Sequence, residues 1–140
     1  MIAANLDEYM IRYGKILGSQ AKDAMNPLHV PGRDGEIKLF GAVTRMPFPA
    51  QNHVIAAGVK ALGRQRALWN LCATGTGKTI ISILTIHAHS KGAAYNAIVM
   101  CPGQLVEKWE REIRSTLAGV KVVQLSDWKT VVSLGNIRKP

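Results

Sequence analysis

The chain has 140 residues, 47% of them hydrophobic, and carries 18 Lys and Arg against 9 Asp and Glu. That is about one domain's length of chain with enough apolar content to bury a core, which excludes a disordered segment. The most apolar run, residues 80–88, is interrupted by Ser82, Thr85 and His87 and falls short of the ~20 residues a bilayer span needs, and no secretory leader is recognisable, so a cytoplasmic protein without a membrane span is expected.

From Leu6 the apolar residues Tyr9, Met10, Tyr13, Ile16 and Leu17 recur at helical spacing and predict an amphipathic leading helix ending near Met25, before Asn26-Pro27. Pro31-Gly32-Arg33-Asp34-Gly35 reads as turn, and residues 36–40 as a short strand. After Pro47 and Pro49, residues 50–62 have helical composition closed by Gly63. The pattern then becomes strand, turn, helix, strand. Residues 67–73 are mostly apolar, 74–79 glycine-rich, 80–89 apolar on nearly every side, and 97–101 a short apolar run stopped by Pro102-Gly103. Leu105, Val106, Trp109, Ile113 and Leu117 fall at helical spacing before Gly119, with strands expected at 120–125 and 130–134. This alternation predicts an α/β fold with a parallel sheet, right-handed crossovers and flanking helices. The division expected is a helical lead-in over 1–46 and an α/β unit over 47–140.

The strongest chemical signal is Cys72-Ala73-Thr74-Gly75-Thr76-Gly77-Lys78-Thr79, which nearly matches G-x-x-x-x-G-K-[ST]. Gly75 and Gly77 let the backbone turn so that successive N–H groups face one concavity, and the following helix N-terminus adds partial positive charge. In such a loop Lys78 meets the β- and γ-phosphates of ATP, and the Thr79 hydroxyl is placed for Mg²⁺. The departure is Cys72, where the pattern has Gly. Thr74 and Thr76 complete the phosphate-binding stretch. The bland reading is a glycine-rich strand-to-helix turn that acquired a lysine by chance.

With that loop in place the chain resembles helicase superfamily two, of DEAD/DEAH and Swi/Snf-like type, whose first motif A-x-x-G-x-G-K-T tolerates a small residue at the Cys72 position. Residues 97–113, ending Trp109-Glu110-Arg111-Glu112-Ile113, look like the family's next motif, a strand ending in Pro and a helix carrying W-x-x-E-[IF]. The resemblance implies a RecA-like P-loop sheet, incomplete here, and assigns Gln51, in Phe48-Pro49-Ala50-Gln51, to the adenine edge. It also implies a nucleic-acid partner, DNA before RNA and sequence-independent, with Lys108, Arg111 and Arg114 as candidate backbone contacts. The excess positive charge agrees, since a basic surface concentrates polyanions, although scattered basic residues also make an ordinary solvated surface.

No acidic D-E-x-[HDQ] box and no second lobe follow the second motif in this sequence. The expectation is therefore a fragment of an ATP-dependent helicase or translocase that binds nucleotide, lacks its downstream lobe and does not by itself hydrolyse ATP. A small P-loop kinase and a non-catalytic nucleic-acid-binding module are the alternatives. Trp109 is expected in the core, Cys72 and Cys101 as reduced buried thiols, and His87 with His89 as no metal site, because i and i+2 on a helix face apart.

Overall fold

A computed structural model describes residues 6–24, 27–41 and 43–125. Among them are four α-helices, α1 (Leu6–Ala24), α2 (Pro49–Leu62), α3 (Lys78–His89) and α4 (Val106–Thr116), with a 3₁₀ turn at Gly103–Leu105 leading into α4. The helices lie where apolar spacing and punctuation put them. Pro49 occupies the first turn of α2, where its missing N–H costs nothing, and the Gln51 side-chain oxygen accepts the Phe48 N–H at 3.0 Å, tying the entry of the chain to the first turn. Gly63 follows α2 as expected, but in right-handed conformation with φ −71°, so any residue could stand there on backbone grounds.

The expected parallel sheet is not formed. Among the described residues there is no β-strand, only two isolated bridges, Pro31 with Asp34 and Val43 with Leu117. The segments 36–40, 67–73, 97–101 and 120–125 carry no ladder, and 130–134 lies outside the described residues. The physical reason is visible at the end of 67–73. There the Cys72 N–H is taken by the side chain of Asn70, and the carbonyls of Cys72 and Ala73 are taken by Lys78 and Thr76, so these groups bond locally instead of across a sheet. The apolar composition that predicted these strands leaves Trp69 84%, Leu71 87%, Ile98 79% and Met100 91% exposed.

The core is instead helical. Ile55 of α2, Ile80, Ile81, Ile83, Leu84 and Ala88 of α3, and Leu117 after α4 form one buried cluster, and Trp109 and Ile113 pack against it from α4. Ile55 and Leu84 are completely buried, each contributing ~1.5–3 kcal/mol relative to an exposed position. Helix α3 is central, with α2 on one flank and α4 on another, whereas α1 packs against none of these helices. Tyr9, Met10, Ile16 and Leu17 on α1 are accordingly exposed.

Gly58 sets the approach of α2 to α3. A Cβ built there lies 3.0 Å from the Thr85 methyl group and 3.1 Å from a Leu68 methyl group. Gly58→Val is therefore expected to overpack this contact and cost ~1–3 kcal/mol, read as a lower denaturant midpoint at unchanged slope. An unchanged midpoint would mean that the two helices have room to spare.

The segment between α1 and α2 is bound to the helices by polar contacts. The buried Asn52 side-chain oxygen accepts the Ile37 N–H at 2.9 Å. Lys60 donates to Asp34 at 2.9 Å, and together with the Val30 N–H it holds the Asp34 carboxyl well below the usual carboxylate range. Lys60 Nζ also lies 3.3 Å from Nδ1 of the buried His29, whose Nε2 is 2.8 Å from His53 Nδ1. Further along, the Thr44 N–H meets the Thr116 carbonyl, the Thr44 hydroxyl donates to the Ser115 carbonyl, and Arg45 pairs with Glu112 at 2.7 Å. His87 on α3 donates to the Phe40 carbonyl and accepts from the Tyr95 hydroxyl, whose pKa burial pushes up.

Candidate functional site

The loop 72–79 enters α3 through two glycines in left-handed conformation, Gly75 with φ +85° and Gly77 with φ +83°. Their requirements differ. At Gly75 a Cβ would meet nothing within 4 Å, so only the dihedral asks for glycine; at Gly77 a Cβ would lie 2.5 Å from Gln51 Nε2, so dihedral and space both do. Gly77 is also the residue preceding the first turn of α3, and having no side chain it caps none of the N–H groups there. The first hydrogen bond back into the helix is from the Ile81 N–H to the Gly77 carbonyl. The N–H groups of Lys78, Thr79 and Ile80 thus have no intrahelical acceptor and stand at the positive end of the helix dipole.

Gln51 is brought onto this loop. Its Nε2 donates to the Thr76 carbonyl at 2.9 Å while its Oε1 accepts the Phe48 N–H, so one amide joins the first turn of α2 to the middle of the loop. Both ends of the side chain are engaged, which makes Gln51 a brace of the loop. Within the loop the Thr76 hydroxyl donates to the Ala73 carbonyl at 2.8 Å. Lys78 Nζ folds back onto the carbonyls of Cys72 and Ala73, at 3.1 and 3.0 Å. Those acceptors are neutral carbonyls, which an anion can readily outcompete for the ammonium. Thr74 is exposed on the loop, and Thr79 is half-buried in the first turn of α3. Cys72 and Cys101 are both free thiols and half-buried, a correction to the full burial expected of them.

The loop therefore offers a lysine ammonium, a threonine hydroxyl and unpaired backbone N–H groups around one turn. This donor set fits a polyphosphate with a hard divalent cation. Among the described residues no group of three or more His, Cys, Asp or Glu side chains is placed to hold a metal by itself. Any cation here would rest on ligand oxygens plus Thr79.

The basic residues of α4 are arranged differently from one another. Lys108 and Arg111 are exposed. Arg114 is committed to Glu110 at 2.8 Å and to the Val122 carbonyl at 3.3 Å. Gln124 and Arg114 together hold the Glu110 carboxyl below its usual range. Trp109 faces the core, as its spacing with Leu105 and Ile113 indicates. The bracing contacts of Gln51, His87 and the Asn52–Ile37 pair link residues far apart in sequence. Only Gln51 has a sequence signal, through its place in the motif, and that signal concerns the adenine edge and not the contact with Thr76.

The chain is of the helicase-like, ATP-dependent nucleic-acid enzyme type. Residues 45–131, more than half of the chain, match the family described as type III restriction enzyme, res subunit, and the chain belongs to that family. No curated protein and no solved structure matches it. Among the described residues no helix is long and apolar enough to cross a membrane.

Proposed function

We propose that residues 72–79 bind the phosphates of ATP and that the chain engages nucleic acid, with DNA as the polymer. The observation that carries the first clause is the geometry of one turn. Two left-handed glycines, a braced Thr76 carbonyl and an uncapped helix start leave backbone donors free to meet an anion, with Lys78 held beside them only by neutral carbonyls. In this reading Lys78 exchanges the Cys72 and Ala73 carbonyls for β- and γ-phosphate oxygens, Gly75, Gly77 and Thr79 contribute N–H groups, and Thr76 would give up its N–H contact with the Ala73 carbonyl to join them. Mg²⁺, when bound with the nucleotide, neutralises charge on those oxygens, and Thr79 Oγ1 is the protein oxygen that would hold it. Gln51 maintains the loop and lies at the edge where the base would rest. The unit doing this begins near Pro47, with residues before it as a lead-in.

Support for DNA as the polymer comes from the family, that of the type III restriction enzyme res subunit. The W-x-x-E-I pattern at Trp109–Ile113 supports the reading that, within helicase-type proteins, the chain lies nearer the Swi/Snf-like translocases. Lys108 and Arg111, both exposed, are the α4 residues suited to a phosphate backbone. Arg114 is less available because it is already paired. The proposal covers binding and not turnover. Glu110 and Glu112 are paired with Arg114 and Arg45, Glu107 sits on the α4 surface, and Asp127 lies outside the described residues.

Nucleic-acid binding driven by lysines and arginines releases counterions, so the affinity for a DNA duplex is expected to fall with a log–log salt slope of about −0.9 per phosphate neutralised. Fluorescence anisotropy with duplexes of unrelated sequence checks this. A flat salt dependence, or strong preference for one sequence, would contradict it.

A further inference from the structure

The seven basic residues between Glu36 and Glu107, Lys38, Arg45, Lys60, Arg64, Arg66, Lys78 and Lys91, share 70 residues that contain no Asp or Glu at all. Two of them reach acidic partners from outside that stretch, Arg45 to Glu112 and Lys60 to Asp34, and Lys78 lies on the loop carbonyls. Arg64 and Arg66 have no such partner. Among the described residues neither side chain makes an ion pair or hydrogen bond. They stand two residues apart just beyond α2 and, with Gln65 and with His89 from the end of α3, line an open recess of about 440 Å³.

This recess lies at the opposite end of the α2–α3 pair from the glycine loop. Gln51 at the start of α2 touches the loop that starts α3, and the residues following α2 meet the last residue of α3, so the two helices run side by side in the same direction. Along α3 the separation from Lys78 to His89 is on the order of 17 Å, at 1.5 Å per residue. The lining side chains are polar apart from Leu62, and Gly63 has none, so there is no Trp, Tyr or Phe anchor of the kind that centres a protein–protein interface. Two unpaired guanidinium forks, an amide and an imidazole in a concave, carboxylate-free surface match successive phosphates of a nucleic-acid strand.

We propose that Arg64, Arg66 and His89 form a phosphodiester-binding site for a nucleic-acid strand, separate from the nucleotide loop and from Lys108 and Arg111 of α4. The proposal rests on the nucleic-acid clause of the function proposed above and adds the place where a strand is held. Arg64 and Arg66 carry the charge, Gln65 and His89 donate to non-bridging oxygens, and sequence is not read, because every contact is to the backbone.

The test is anisotropy of a labelled single-stranded oligonucleotide with the full chain, the Arg64→Ala/Arg66→Ala double variant, the Arg64→Lys/Arg66→Lys variant and a Lys108→Ala/Arg111→Ala control. Helical content by circular dichroism and Mg·ATP affinity are measured on each to show that the fold and the loop are intact. The alanine double variant is expected to bind at least tenfold more weakly and to lose about 1.4 from the salt slope, two contacts at ~0.7 each on a single strand. Lysines should restore the slope and only part of the affinity. Wild-type affinity and slope in the alanine variant, with the α4 control weakened, would overturn the recess and leave the function reading standing. No oligonucleotide binding by the wild-type chain at low salt would remove both. Binding of polyglutamate that depends on Arg64 and Arg66, without oligonucleotide binding, would assign the recess to an acidic protein and overturn the proposal.

Discussion

Lys78→Ala is expected to lower the affinity for Mg·ATP by between about ten- and a hundredfold, because a charge-assisted hydrogen bond to phosphate is worth ~1.5–3 kcal/mol and methyl replaces the ammonium with nothing. The ammonium already sits at the mouth of the loop, held by the carbonyls of Cys72 and Ala73 at 3.1 and 3.0 Å. Its removal leaves those acceptors to water at a partly exposed position, so the fold should survive while the ligand is lost. Isothermal calorimetry on the variant, beside circular dichroism to confirm helical content, separates the two effects. Equal affinity in variant and wild type would mean that the phosphates do not rest at Lys78.

Gly77→Ala should damage the same site by another route. At φ +83° an L-residue costs ~1–2 kcal/mol, and the new Cβ would stand 2.5 Å from Gln51 Nε2, a distance no native contact sustains. The side chain of Gln51 must then leave, which breaks its bonds to the Thr76 carbonyl and the Phe48 N–H and unties the loop from α2. At least a tenfold loss of Mg·ATP affinity is expected, together with a lower thermal midpoint. Gly75→Ala meets only the dihedral cost, since a Cβ there finds open space, and should be the milder change. The clash also makes the two positions interdependent. Adding Gln51→Ala to Gly77→Ala removes the steric conflict, so the double variant should lose less than the sum of the singles. Strict additivity would show that Gln51 does not press on Gly77.

Gln51 makes loop contacts that the adenine-edge assignment does not include. The motif resemblance gives it the adenine edge alone, which predicts changed base selectivity with phosphate binding intact. The geometry gives it the loop, which predicts that Gln51→Ala weakens ATP and inorganic tripolyphosphate alike. Both ends of its amide are used on protein partners, so a bracing role stands beside the adenine-edge assignment, and the two predictions separate them.

The sequence made the helices legible and the sheet illegible for one physical reason. A helix closes its hydrogen bonds four residues away, so the spacing of Leu105, Val106, Trp109 and Ile113, or the Pro49 start of α2, carries most of what decides it. A strand is decided by a partner that may lie anywhere in the chain. The apolar composition of 67–73 and 97–101 states a preference for burial between layers without supplying a neighbour, and in the described residues that neighbour is absent. The same division runs through the site. The glycine loop is local and was readable residue by residue, down to the two positions that need positive φ. The ties that hold it and its surroundings, Gln51 to Thr76, His87 to Phe40 and Arg45 to Glu112, span 25 to 67 residues, and no periodicity or spacing announces them.

The central claim is that residues 72–79 are a phosphate-binding loop, and a calorimetric titration of the 140-residue chain with Mg·ATP addresses it most directly. The account predicts saturable binding with one site per chain, competed by tripolyphosphate and strongly weakened in Lys78→Ala. Absence of saturable binding by a chain whose helical content is intact, or binding indifferent to both tripolyphosphate and Lys78, would contradict it.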